Sequence, residues 1–187
     1  MKQMKINKHR LTIYCIIFLA TLDIITRNNA QLYFDPEKTV WIIKGVFGLT
    51  YRINYWGLLG FARNWRFFRL FSILLSFLIL VISFAYYSKL HQYFTLLLRS
   101  FFVLFTSSFL GGLPDRIFLG YARDWIAWFG PGNPNLADVY VFTSYFLLFI
   151  GLILHPDVTW KGFRRYCSFP AKKQLGLHLF KKREKDV

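Results

Sequence analysis

Three of the nine acidic residues in this 187-residue chain, Asp115, Asp124 and Asp138, fall within the stretch "LGGLPDRIFLGYARDWIAWFGPGNPNLADVY" between Leu110 and Tyr140. Apolar runs flank the stretch on both sides. Two carboxylates brought together in a poorly hydrated site repel, so one pKa rises and the pair holds a single proton. One member can then take a proton from water while the other donates to a carbonyl oxygen, which is the chemistry of aspartic peptidases. A plainer reading stands beside it: the carboxylates form salt bridges with Arg116 and Arg123, or cap helices. Other catalytic arrangements have less support. No Ser/His or Cys/His pair is placed with an orienting acid, and there is no HExxH and no Gly-rich phosphate loop.

The segments around these residues are built for lipid. The chain is 55% hydrophobic and 21% aromatic, more than a soluble domain of this length can hide in its interior. Four apolar blocks, at about 11–25, 70–88, 93–113 and 136–154, are long enough for membrane spans at 1.5 Å per helical residue. The first follows a basic N-terminal segment but has no A-x-A-like cleavage site, and it reads as a retained anchor. The fold class expected is a mainly α membrane protein of four transmembrane helices with a small extracytoplasmic β-cradle. The cradle is expected between Gln31 and Phe61, where β-branched and aromatic residues alternate between glycine breaks. Residues 1–160 then form one membrane domain and 161–187 a basic cytoplasmic tail.

The net charge of +15 raises nucleic acid as a partner, but the basic residues cluster at the chain ends beside apolar spans, where anionic lipid accounts for them. Lys2, Lys5, Lys8 and Arg10 at one end, with Lys161, Arg164 and Arg165 at the other, place both termini in the cytoplasm across an even number of spans. The Asp residues then lie near the outer face. Cys15 and Cys167 are not expected to pair. The histidines are scattered, so neither a metal nor a cofactor is expected.

The run Asp115, Arg116, Gly120 and Asp124, followed by Asn135, Leu136, Ala137 and Asp138, resembles the two signature blocks of the lipoprotein signal peptidases (signal peptidase II). Asp23 and Arg27 resemble the acidic and basic residues of that family's first helix, and Asn54 its outer-loop asparagine. The resemblance runs from about Arg10 to Pro156. It implies an enzyme of the bacterial inner membrane that cuts prolipoproteins just before a cysteine carrying diacylglyceryl, with no metal and no covalent intermediate. Asp124 and Asp138 would be the water-activating dyad. Asn54, Asn135, Arg116 and Asp23 would be pocket or supporting residues, and Asp115 a structural one. "DWIAWFGPGNPN" would be a flexible cover over the site, and the enzyme would act as a monomer among membrane lipids.

Three departures mark the chain as divergent. Gly112 stands at the family asparagine, Pro114 directly precedes Asp115, and the glycine after Asn54 is displaced to Gly57. An active but divergent enzyme is the favoured reading. A catalytically inactive paralogue, or a membrane scaffold or transporter subunit, is the alternative. A transporter would place its ionisable groups near the bilayer midplane, whereas here they gather toward one face.

Overall fold

A computed structural model describes residues 8–36, 38–55, 66–90, 95–130 and 132–154, with side chains from 70 to 88 in the third of these segments. Its elements are helix α1 (Lys8–Tyr33), strands β1 (Thr39–Ile43) and β2 (Phe47–Asn54), helices α2 (Arg66–Leu90) and α3 (Leu96–Pro114), a wide π-type turn at Asp115–Leu119, strand β3 (Ala122–Trp128) and helix α4 (Leu136–Leu154). Four stretches, Lys8–Tyr33, Leu70–Ser88, Leu96–Leu119 and Leu136–Leu154, are long and apolar enough to cross a membrane. The expected class, mainly α with a small sheet, is the one found.

Helix α3 is the hub of the bundle and packs against α4, α1 and α2. Lipid tails are as apolar as leucine side chains, so helices in a bilayer associate through close packing of small residues and internal hydrogen bonds. Ser107, fully buried on α3, donates to the Ile16 carbonyl of α1 at 3.3 Å. On α4, Gly151 lies against Leu98 of α3. Away from the sheet, Tyr87 of α2 stacks on Phe102 of α3 with ring centroids 4.3 Å apart, closing on Ile16. The large side chains Phe18, Phe77, Phe142 and Phe146 point outward from the bundle, as a lipid-facing surface requires.

The three strands form one antiparallel sheet in the order β1-β2-β3. Four expectations change here. Helix α1 does not stop near residue 25 but continues to Tyr33, taking Gln31 with it, because its charged residues find partners inside the protein. The third span begins at Leu96 and ends in the wide turn. Its last helical residue, Pro114, has no N–H to donate to the Leu110 carbonyl, and the chain after it winds more loosely. The cradle strands lie within 39–54; residues 56–65 fall outside those described. Most consequential, "RDWIAW" is no flexible cover: it is strand β3, paired with β2 through Phe47↔Trp128, Arg52↔Asp124 and Asn54↔Ala122. Its Trp and Ile are strand-forming residues. The connection it leaves to α4 is short. The tail, the first seven residues, the "HQ" of the turn after α2, His155 and Cys167 also lie outside the described residues.

Gly111 on α3 sets the distance to α1. A Cβ there would stand 2.6 Å from Asp23 Oδ2 and 3.1 Å from Asp23 Cβ, while one at Gly112 would meet only Arg27 Nη2 at 3.8 Å. Asp23 is short and held from two sides (below), so it cannot swing away. Gly111→Ala is therefore expected to destabilise the protein by about 1–3 kcal/mol, as overpacked cores do. Gly112→Ala should be neutral or stabilising by up to about 1 kcal/mol through helix propensity. Thermal unfolding of the two variants in detergent checks the contrast; equal melting temperatures would contradict the close approach.

Candidate active site

The charged residues gather where the sheet meets the bundle. Asp115 is the centre of the arrangement. Its carboxylate accepts from Arg123 through Nη2 at 2.6 Å and Nε at 3.1 Å, and from the Arg123 backbone N–H at 3.1 Å. From the other side Arg27 Nη1 donates to it at 3.1 Å. Arg123 also donates Nη1 to Asn28 Oδ1 at 2.6 Å and Gln31 Oε1 at 2.8 Å. One guanidinium thus ties β3 to α1 and to the turn after α3. That turn closes at Gly120, whose φ of 83° lies in the left-handed region and whose N–H reaches the Asp115 carbonyl at 2.9 Å. It brings the chain back so that Arg123 can meet Asp115.

Asp124 follows Arg123 on the strand and is buried. Asn54, at the end of β2, donates Nδ2 to its Oδ2 at 2.8 Å. The Asn135 side chain donates to its Oδ1 at 2.6 Å. Asn135 is placed there by the loop that follows β3: the Pro134 carbonyl accepts from the backbone N–H of Ile126 at 2.9 Å and of Trp125 at 3.3 Å. Trp128 Nε1 holds the same loop through the Gly132 carbonyl at 2.9 Å.

Asn135 is also the residue from which α4 starts, and Asn-Leu-Ala-Asp is a reciprocal capping box. Asn135 Oδ1 accepts from the Asp138 N–H at 3.2 Å, and Asp138 Oδ2 accepts from the Asn135 N–H at 3.0 Å. Asp23, with 0% exposure, accepts the next free helix donor, the Ala137 N–H, on Oδ1 at 3.0 Å. A carboxylate at a helix N-terminus is favoured by the unpaired N–H groups and the helix dipole. Its other oxygen contacts Arg27 Nη2 at 2.8 Å as an ion pair, off the hydrogen-bonding direction.

Every residue expected at the site therefore comes to one place. Asp23, Asn54, Asp115, Asp124, Asn135 and Asp138 belong to a single connected network, and Arg116 interacts electrostatically with Asp138, Asp124 and Asp115. Arg116, a salt-bridge candidate in the plainer reading, donates Nη1 to Ser76 Oγ of α2 at a long 3.5 Å, while Arg123 and Arg27 both pair with Asp115. Arg27, which the motif match set on the first helix without giving it a place in the site, joins the network as well. The available signal was its polar i,i+4 spacing with Asp23 inside an apolar helix, since a charge in a span must face a partner within the protein.

The electrostatics disfavour the ionised form of Asp124. Burial is the largest influence on Asp124, and the nearby Asp138 charge adds to it. Together they outweigh the donors of Asn135 and Asn54 and push the Asp124 carboxyl up to about 6. Counted over the interacting groups, Asp23, Asp115, Asp124 and Asp138 face Arg27, Arg116 and Arg123, and a single proton neutralises the set. Asp138 Oδ1 accepts no hydrogen bond among the described residues, which leaves it open to an incoming donor such as water.

Residues 15–154 match the protein family described as signal peptidase (SPase) II. A lipoprotein signal peptidase of Caldicellulosiruptor bescii is 32% identical over 145 residues, covering 76% of this chain and 91% of that protein. Two solved structures described as a bacterial membrane enzyme, determined by the in meso method at 2.3 Å and 1.9 Å resolution, share the fold. The first has a TM-score of 0.70 at 20% identity and covers 79% of this chain and 90% of its own. The second has a TM-score of 0.67 at 20% identity and covers 76% and 92%. With four helices long and apolar enough to cross a membrane and the family matched over residues 15–154, the chain belongs to the signal peptidase II family.

Proposed function

We propose that the protein is an aspartic endopeptidase that removes signal peptides from prolipoproteins, cutting before a diacylglyceryl-modified cysteine, with Asp124 and Asp138 as the catalytic pair. The observation that carries this reading is the bridge made by Asn135, which donates its side chain to Asp124 at 2.6 Å and its backbone N–H to Asp138 at 3.0 Å. One residue thus links the two carboxylates. In the free enzyme the shared proton rests on Asp124, and Asp138 is the base. Asp138 takes a proton from water as the water oxygen attacks the scissile carbonyl, and Asp124 gives its proton to the carbonyl oxygen. The gem-diol intermediate then collapses: Asp138 passes its proton to the leaving amine as the C–N bond breaks, and one hydroxyl proton returns to Asp124 as the carbonyl re-forms. No covalent enzyme intermediate forms.

Asn54 and Arg116 support the pair, Asn54 by its bond to Asp124 and Arg116 by its charge beside Asp138. Asp23 and Asp115 act at one remove, through the start of α4 and through Arg123. Residues 1–160 constitute the peptidase domain, and 161–187 a basic tail. Both termini face the cytoplasm and the site lies near the outer face of the inner membrane, where a lipid-anchored substrate enters sideways from the bilayer. The partners are prolipoproteins and membrane lipids, and the working unit is a monomer.

Two measurements test the mechanism. In nanodiscs, with a diacylglyceryl-modified prolipoprotein, Asp124→Asn and Asp138→Asn should each lower kcat by about a hundred- to ten-thousandfold, the range expected for acid–base groups. Retained cleavage in either would remove that residue from the reaction, and no release by a well-folded wild type would overturn the function. The second measurement is the pH profile. The acid form of Asp124 is required and is lost as pH rises through its pKa, so kcat/KM should decline above about 6. Asn54 donates to the carboxylate and stabilises the charged form. Asn54→Ala raises the pKa and should therefore move the declining limb to higher pH.

A further inference from the structure

We infer that Arg27 is a positioning residue for the carboxylate pair: its guanidinium dictates which end of the Asn135 amide faces Asp124, and Gly112 leaves it the space to do so. The inference rests on the reading of Asp124 and Asp138 as the catalytic pair.

Arg27 lies inside the first span with 1% exposure. Its Nη1 is committed to Asp115 Oδ2 at 3.1 Å. Its Nη2 is 2.8 Å from Asp23 Oδ2 and donates to Asn135 Oδ1 at 2.9 Å. The planar fork thus spans three elements at once: α1 through Asp23, the turn after α3 through Asp115, and the start of α4 through Asn135. It makes no hydrogen bond to Asp124 or Asp138: its charge acts on both through space, which a lysine would preserve, and the geometry of its fork acts through Asn135.

An amide side chain has one accepting end and one donating end. Two donors, Arg27 Nη2 and the Asp138 N–H, converge on Asn135 Oδ1. A flipped amide would press its NH2 group against both of them and turn its oxygen toward the Asp124 carboxyl. The guanidinium contact is the charge-assisted and stronger of the two. With Arg27 in place, the NH2 end must face Asp124, where it makes its 2.6 Å bond. Gly112 enters as the neighbour on α3. A Cβ at that position would stand 3.8 Å from Arg27 Nη2, so a longer side chain would share the volume into which the guanidinium extends. The glycine that departs from the family pattern is thus matched to the arginine beside it.

The test is a double-mutant cycle in nanodiscs on a diacylglyceryl-modified prolipoprotein, using wild type, Arg27→Lys, Asn135→Ala and the double variant. Lysine keeps the charge but has a single ammonium and no fork. Arg27→Lys is expected to lower kcat about ten- to a hundredfold with KM within about twofold, as small misplacements of reacting groups do. It should also move the declining limb of the pH profile upward, because Asp124 loses a fixed donor. In the Asn135→Ala background, Arg27→Lys should add little, since its route is already gone. Gly112→Leu, which displaces the guanidinium without removing it, should lower kcat in the same way and carries the test if Arg27→Lys does not fold. Fully additive losses, or an Arg27→Lys enzyme with an unchanged pH profile, would overturn the inference and leave the carboxylate pair standing. Undiminished cleavage by Asp124→Asn and Asp138→Asn, run in the same assay, would instead remove the pair and this inference with it.

Discussion

The structure depends on giving Asp115 enough positive charge to be buried. An ionised carboxylate taken from water into a membrane protein costs several kcal/mol unless charge and hydrogen bonds replace its hydration. Asp115 receives both from Arg123, through two side-chain nitrogens and the backbone N–H, and a further guanidinium from Arg27. Each of those arginines reaches another element, Arg123 to Asn28 and Gln31 on α1 and Arg27 to Asn135 at the start of α4. The neutralisation of one carboxylate therefore fixes the relative positions of α1, α3, α4 and the sheet. An ion cluster of this kind is poor evidence for stability, because well-packed apolar residues hold a fold as well. What it supplies is a single geometry for the groups attached to it.

Structural and chemical roles are not alternatives at the second signature block. Asn135 and Asp138 cap α4 reciprocally, as any Asn-x-x-Asp sequence at a helix start can. The same bonds aim the Asn135 amide at Asp124 and hold one oxygen of Asp138 while the other stays open. A helix cap is a rigid local device, and a site built on one inherits its precision. Strand β3 does the same for Asp124. Pairing with β2 on one side, and the anchoring of its N–H groups by Pro134 on the other, leave that carboxyl little freedom.

Away from the cluster the bundle is ordinary for a membrane protein. Aromatic stacking of Tyr87 and Phe102 and the small residues Ser107, Gly111 and Gly151 let the helices approach, and the remaining apolar surface is left to lipid. Gly111 connects the two regimes. It permits the close packing of α3 on α1, and the side chain that fills the space it leaves is Asp23, a member of the charged network. In the same "GGLPDR" run, Gly112 lies beside Arg27, and Pro114 stands where the helix passes into the wide turn.

Much of this was legible in the sequence because it follows from local chemistry. Apolar length gave four spans, and the fourth, Leu136–Leu154, has the bounds read from its hydropathy. Carboxylates beside spans marked the site, because such groups are too costly to occur there without a partner. The sequence could not decide which partner each one takes. Arg116 and Arg123 were equal candidates for Asp115 until the left-handed turn at Gly120 brought β3 back beside it, and that choice belongs to the path of the chain. Likewise "DWIAWF" reads as a loop by its glycine- and proline-rich end and becomes a strand only because β2 offers it an edge. Arg27 reaches Asn135 across 108 positions. Spacing along a chain carries no record of such a contact, because it is made only when three helices have packed.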